Sequence, residues 1–320
     1  MFSKERRFGA VAEAGNRYSF IGRASLLIWG IVFLIVCLEL SLRLAGFAYN
    51  RIYPPPINTE AGYKIFCLGE STTWGIGASN PISQGYPKQL ENMLNKKFPD
   101  LNTQCFFDQT IGQNTSEINR KLEGYIKKYV PDLIIIMTGA NNWWNLDKSN
   151  ILLFNKSRFI SESVLKISVF LGQFRVCKLF KLVYYSIVPY RERWNFYFPS
   201  GISGENLEEA ARERYDFDIF AMVANYDIRS MVRTCKANRV DIIISGYPGN
   251  VNDDLYFTQK QIAEEFKIPF VDNYAIFRNL PNRRDYFSDD NWHPNEDGYN
   301  LLARNIYNSI LENNIINISY

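Results

Sequence analysis

Hydrophobic and polar positions follow two regimes along the chain: one long apolar run near the N-terminus, then short apolar runs separated by helical patterns. Ala24 to Phe47 reads ASLLIWGIVFLIVCLELSLRLAGF. Its unbroken part, Leu26 to Leu38, extends through Leu44 with only Glu39 and Arg43 as interruptions. About 20 such residues is the length a bilayer core requires. Further on, Lys64–Leu68 (KIFCL), Gln104–Phe107, Leu133–Met137 (LIIIM), Asp241–Ser245 (DIIIS) and Pro269–Val271 predict five strands. Helical spacing fills the intervals, over Tyr86–Phe98, Ser116–Tyr129, about Leu207 to Ala237, Thr258–Phe266 and Glu296–Glu312. Strands apolar on both faces and alternating with helices predict an α/β domain, a three-layer α/β/α sandwich around a central parallel sheet.

The N-terminal run predicts one transmembrane helix. Lys4, Arg6, Arg7, Arg17 and Arg23 precede it, the positive flank expected on the cytoplasmic side. No small-x-small cleavage site follows, so a signal anchor is expected rather than a removable signal peptide. The chain then divides into a cytoplasmic leader (1–23), an anchor (24–47), a linker (48–62) stiffened by Pro54–Pro56, and a main domain (63–320) outside the cytoplasm. Glu39 and Arg43, four apart, are placed to pair on one helix face. Within the main domain an insertion spans about 143–200. Its Val164–Val188 stretch is apolar but carries Lys166, Arg175, Lys178 and Lys181. Helices packed on the domain is the plainer reading; a basic amphipathic lid on the membrane surface or over the active site is the sharper one.

Composition narrows the chemistry. The net charge of +3 is small and the basic residues are scattered, so no nucleic-acid partner is expected. Five cysteines form no CxxC pair and demand no disulfide. A single histidine argues against a His-rich metal site, and no metal or cofactor is expected. No GxSxG follows a strand, and neither a P-loop nor a GxGxxG turn is present.

Ligand sites in open parallel sheets form at the carboxyl ends of strands, and there this sequence places its polar oddities. Gly69-Glu70-Ser71-Thr72-Thr73 follows the first strand, Thr110-Ile111-Gly112-Gln113-Asn114 the second and Gly139-Ala140-Asn141-Asn142 the third. Asp290-Asn291-Trp292-His293-Pro294 precedes the last helix. Taken singly, Ser71 reads as a helix cap, Asn141 as a turn residue, His293 as a loop histidine and Asp290 as an N-cap. Together and in this order the segments resemble the four blocks of the SGNH (GDSL-like) hydrolases: a GDS-type nucleophile block, a Gly block, a GxND block and a C-terminal DxxH block. The resemblance runs from about Lys64 to Glu312 and implies the flavodoxin-like SGNH fold.

It also implies roles. A serine hydroxyl needs a base to become a nucleophile, and His293, oriented by Asp290, is the one imidazole available to Ser71. The backbone N–H groups of Ser71 and Gly112 and the side-chain amide of Asn141 would form the oxyanion hole, each donor being worth about 3–4 kcal/mol at comparable sites. Three positions depart from the family pattern: Glu70 stands for Asp, Asn142 for the Asp of GxND, and Thr115 for a second glycine. Trp143, Trp144 and Trp292 are either subsite walls or core. The expected function is hydrolysis of acyl esters, acetyl esters of a cell-envelope glycan foremost, through an acyl-Ser71 intermediate. The alternatives are O-acyl transfer through the same intermediate and an inactive binding module.

Overall fold

The computed structural model describes residues 5–52, 62–142, 145–154, 162–187, 217–249 and 253–316. The described elements are α1 (Glu5–Ile52), β1 (Tyr63–Gly69), α2 (Ser71–Trp74), α3 (Pro81–Gln84), α4 (Tyr86–Lys97), β2 (Thr103–Phe107), α5 (Thr115–Tyr129), β3 (Leu133–Met137), α6 (Glu162–Gly172), α7 (Arg175–Ile187), α8 (Phe217–Ala237), β4 (Asp241–Ser245), α9 (Asp253–Phe266), β5 (Phe270–Val271), α10 (Asn273–Arg278) and α11 (Glu296–Glu312). They group into two compact units. One joins α1 to α7; the other holds the sheet and the remaining helices.

The sheet is parallel throughout, in the order β2-β1-β3-β4-β5. Central β3 has every residue fully buried, because helices cover both faces; its LIIIM run is therefore continuous rather than alternating. The chain moves from β1 outward to β2, then crosses back over β1 to β3. Right-handed crossovers in opposite directions place their helices on opposite faces. Accordingly α4 packs with α11, while α5, α8 and α9 pack in series. The reversal of direction falls beside β1, between β1 and β3, the place where open α/β sheets form their sites at the carboxyl ends of the strands.

The α/β sandwich and its five strands stand where the sequence patterning put them, with small differences. Helix α9 begins at Asp253, a turn before Thr258, with Asp253 and Asp254 in its favourable first turn. Helix α8 is described from Phe217, so the stretch from Leu207 lies outside the described residues, as do Pro54–Pro56, Trp143 and Trp144.

Of the insertion, α6 packs on the sheet-bearing unit: Val169 joins Ile151, Ile219 and Val223 in a small second core. Helix α7 instead packs on α1. There Arg43 donates to Glu39 at 2.7 Å, the other Glu39 oxygen accepts the Val176 N–H at 2.9 Å, and Arg175 donates to the Leu42 carbonyl at 2.6 Å. The two charges that interrupt the apolar run are thus both hydrogen-bonded. Helix α1 contains one stretch long and apolar enough to cross a membrane, Gly22–Ala48, with mean hydropathy 2.4.

Candidate active site

Asp290 and His293 share one short loop. Phe287 and Pro294 pair as an antiparallel bridge, and the Ser288 N–H donates to the His293 carbonyl at 2.9 Å, closing the loop. Asn291 reverses the chain with φ +59°, a left-handed conformation that Asn tolerates. Asp290 Oδ1 accepts the backbone N–H groups of Trp292 and His293, both at 2.9 Å, and the Ser288 hydroxyl at 2.8 Å. Its Oδ2 faces His293 Nδ1 at 2.6 Å. Partial burial pushes this carboxyl up. The hydrogen bonds from the His293 ring and the two backbone N–H groups outweigh that and hold it well below the usual carboxylate range. An ionised Asp290 can only accept, so it keeps the ring proton on Nδ1 and leaves Nε2 as an acceptor. That Nε2 lies 2.9 Å from Ser71 Oγ.

Ser71 opens the short helix α2 directly after β1. It is not the cap: Glu70 holds that position and makes no side-chain bond to the helix. The turn is closed by Gly75, at φ +96°, whose N–H reaches the Ser71 carbonyl at 3.1 Å. Nor does Asp290 cap α11; Asn295 does, accepting from the Gly298 N–H at 3.0 Å.

Glu70 is fully buried. Its Oε1 accepts the Thr138 hydroxyl and the Gly139 N–H, each at 2.9 Å, and its Oε2 accepts the Tyr247 hydroxyl. It thereby ties together the carboxyl ends of β1, β3 and β4. Burial pushes its carboxyl up to about 7, against hydrogen bonds from Tyr247, Gly139 and Thr138 that favour the ionised form.

Gly112 and Asn141 flank β1 from its two neighbouring strands. Gly112 has φ +70°, and its carbonyl accepts Asn145 Nδ2 at 2.7 Å. Asn141 Nδ2 donates to the carbonyl of Gln113, the next residue, at 3.2 Å. Asn142 and Thr115, two of the departures, bond to each other: the Thr115 N–H to Asn142 Oδ1 at 2.9 Å, and Asn142 Nδ2 to Thr115 Oγ1 at 3.0 Å. Trp292 is partly buried and packs against the main core. A groove of about 610 Å³ between α8 and α9, lined by Met222, Tyr226, Arg229 and Phe257, includes none of these residues.

Reasoning from sequence did not find Tyr247, Gly77, Asn145 or Asp227. Tyr247 lies just past β4, at a carboxyl end like the others, and that position was the available signal. Gly77, at φ +100°, passes so close behind His293 that an added Cβ would stand 2.9 Å from His293 Cβ and 2.5 Å from the Pro294 carbonyl.

A parallel α/β sheet carrying a Ser–His–Asp hydrogen-bonded chain at the carboxyl ends of its strands is an arrangement shared by serine hydrolases. The chain belongs to the GDSL-like lipase/acylhydrolase family, whose model matches residues 67–301, and it is an ester hydrolase. No curated protein shows significant similarity to it. Among solved structures it is similar to a lipase/acylhydrolase from Enterococcus faecalis, at 12% identity and TM-score 0.48 over 78% of this chain and 96% of that one. It is similar also to a catalytic mutant of an acetylxylan esterase from Geobacillus stearothermophilus, at 18% identity and TM-score 0.48 over 78% and 94%.

Proposed function

We propose that Ser71 is the nucleophile, His293 its general base and Asp290 the group that orients the ring. The backbone N–H groups of Ser71 and Gly112 and the Asn141 amide form the oxyanion hole. The observation that carries this reading is the 2.9 Å approach of His293 Nε2 to Ser71 Oγ, with Nδ1 held by Asp290. In the forward step Ser71 Oγ bonds to the ester carbonyl carbon as its proton passes to Nε2. The tetrahedral oxyanion then collapses, the alcohol leaves with that proton, and water repeats the sequence to release the acid. An active-site fluorophosphonate labels the wild type and not Ser71→Ala; a folded wild type that resists labelling refutes the assignment.

The substrate is a short acyl ester, with acetyl groups of a cell-envelope glycan as the first choice. This rests on the family together with the apolar Gly22–Ala48 stretch and its basic flank, which we read as a single-pass anchor holding the main domain outside the cytoplasm. Release of acetate from acetylated glycans, set against release of long acyl chains from lipids, tests the substrate. A reporter fused after Tyr320 tests the orientation, since activity on the cytoplasmic side contradicts it.

A further inference from the structure

Behind Gly112 and Asn141 lies a carboxylate used neither by the proposed triad nor by the oxyanion donors. Asp227, on α8, is fully buried. Its Oδ2 accepts the hydroxyls of Thr115 (2.7 Å) and Ser116 (2.6 Å), and its Oδ1 accepts Asn150 Nδ2 at 2.6 Å. A buried charge is tolerable only with such a set of donors. Two of the three sit in the first turn of α5, a 15-residue helix whose dipole favours a negative charge there.

Thr115 passes the effect on. Its single hydroxyl proton goes to Asp227, so the oxygen is left to accept from Asn142 Nδ2, and its backbone N–H meets Asn142 Oδ1. By taking the Thr115 proton, the carboxylate thus supports the Asn142 orientation that the Thr115 N–H and the Phe220 carbonyl also favour. It also locks the start of α5, three residues after Gly112, to the turn that presents Asn141. The same seam is sewn again by Asn114, whose Nδ2 reaches the carbonyls of Asn145 and Asp147, both at 2.8 Å.

We propose that Asp227 is a positioning residue for ester hydrolysis. Through Thr115 and Asn142 it fixes the separation of the two oxyanion donors, supplying from a neighbouring helix the charge that the GxND pattern would place at residue 142. This rests on the reading of Gly112 and Asn141 as those donors. The arrangement predicts a specific rescue. With Asp at 142 and Asn at 227, the Thr115 proton turns toward residue 142 and the new amide donates to Thr115 Oγ1. The chain of bonds at Thr115 then runs the other way, and the one bond given up is the long 3.4 Å contact from Asn142 Nδ2 to the Phe220 carbonyl.

The test is steady-state hydrolysis of a short p-nitrophenyl ester by the full chain in detergent, with active serines counted by fluorophosphonate. In Asp227→Asn, kcat per labelled serine falls about ten- to a hundredfold with KM within about twofold, the size expected when donors move by a fraction of an ångström. Asn142→Asp alone, which sets two carboxylates on one hydroxyl, is also impaired. The Asn142→Asp/Asp227→Asn double variant recovers to within about threefold of wild type. Should either Asp227 variant fail to fold, Thr115→Val reads the same link without altering the carboxylate, and its kcat per labelled serine falls similarly. An unchanged kcat in Asp227→Asn or in Thr115→Val, or a folded double variant no better than Asp227→Asn, overturns the assignment. Turnover and labelling that survive in Ser71→Ala overturn the serine reading itself, and this one with it.

Discussion

Glu70 is adjacent to the serine, buried, and held by three donors, yet its carboxyl titrates near 7. Because the folded-state value lies above the ordinary 4.5, the group favours folding most fully below about pH 4.5. That contribution is lost as pH rises through about 7, when a charge must be carried in a site that resists it. The span corresponds to roughly 3 kcal/mol. Urea unfolding of wild type and Glu70→Gln across this window is expected to show the wild type losing stability relative to the variant as pH rises. A difference that stays flat with pH contradicts the account. Gly77 gives a second prediction at this scale. Alanine there must adopt φ +100° and displace either the Pro294 carbonyl or His293 itself. Gly77→Ala is expected to slow fluorophosphonate labelling about tenfold or more, and labelling at the wild-type rate rules the contact out as a support of the base.

At the scale of elements, α5 does more than cover the sheet, because its first turn carries the wall of the site. Asn114 caps it in a reciprocal capping box with Glu117 and also bonds two carbonyls of the 145–147 segment. Loss of a cap alone costs about 1 kcal/mol, and the stranded carbonyls raise the expected cost of Asn114→Ala to about 2–3 kcal/mol, measurable as a lowered urea midpoint. The strands and long helices were legible in the sequence because their signal is local. LIIIM is a buried strand wherever helices cover it, and Glu296–Glu312 begins and ends where its pattern does. The pairing of Asp290 with His293 was legible for the same reason, the two being three residues apart. The buried polar network was not. Whether Glu70 is a surface acid or a buried one depends on Tyr247, 177 residues away, and the partners of Thr115 include a carboxylate 112 residues distant. No window of sequence contains both ends of such a bond.

For the whole molecule, the grouping of α7 with α1 means that the N-terminal helix is not a detachable tether. Removing residues 1–52 strips α7 of Glu39 and the Leu42 carbonyl and bares the face that packs there. Such a truncation is expected to aggregate in detergent-free buffer, as read by size-exclusion chromatography, even though the sheet-bearing unit keeps its own core. A monodisperse soluble product would show that α7 is content without its partner.

The hydrogen bond from His293 to Ser71 joins residues 222 apart. During synthesis the hydroxyl is made early and its imidazole late. On the catalytic reading proposed above, a growing chain therefore carries an inert serine until residue 293 has been made. The enzyme is armed only once the C-terminal loop has arrived and the sheet has closed beneath it. Timing of this kind is written in the order of the residues.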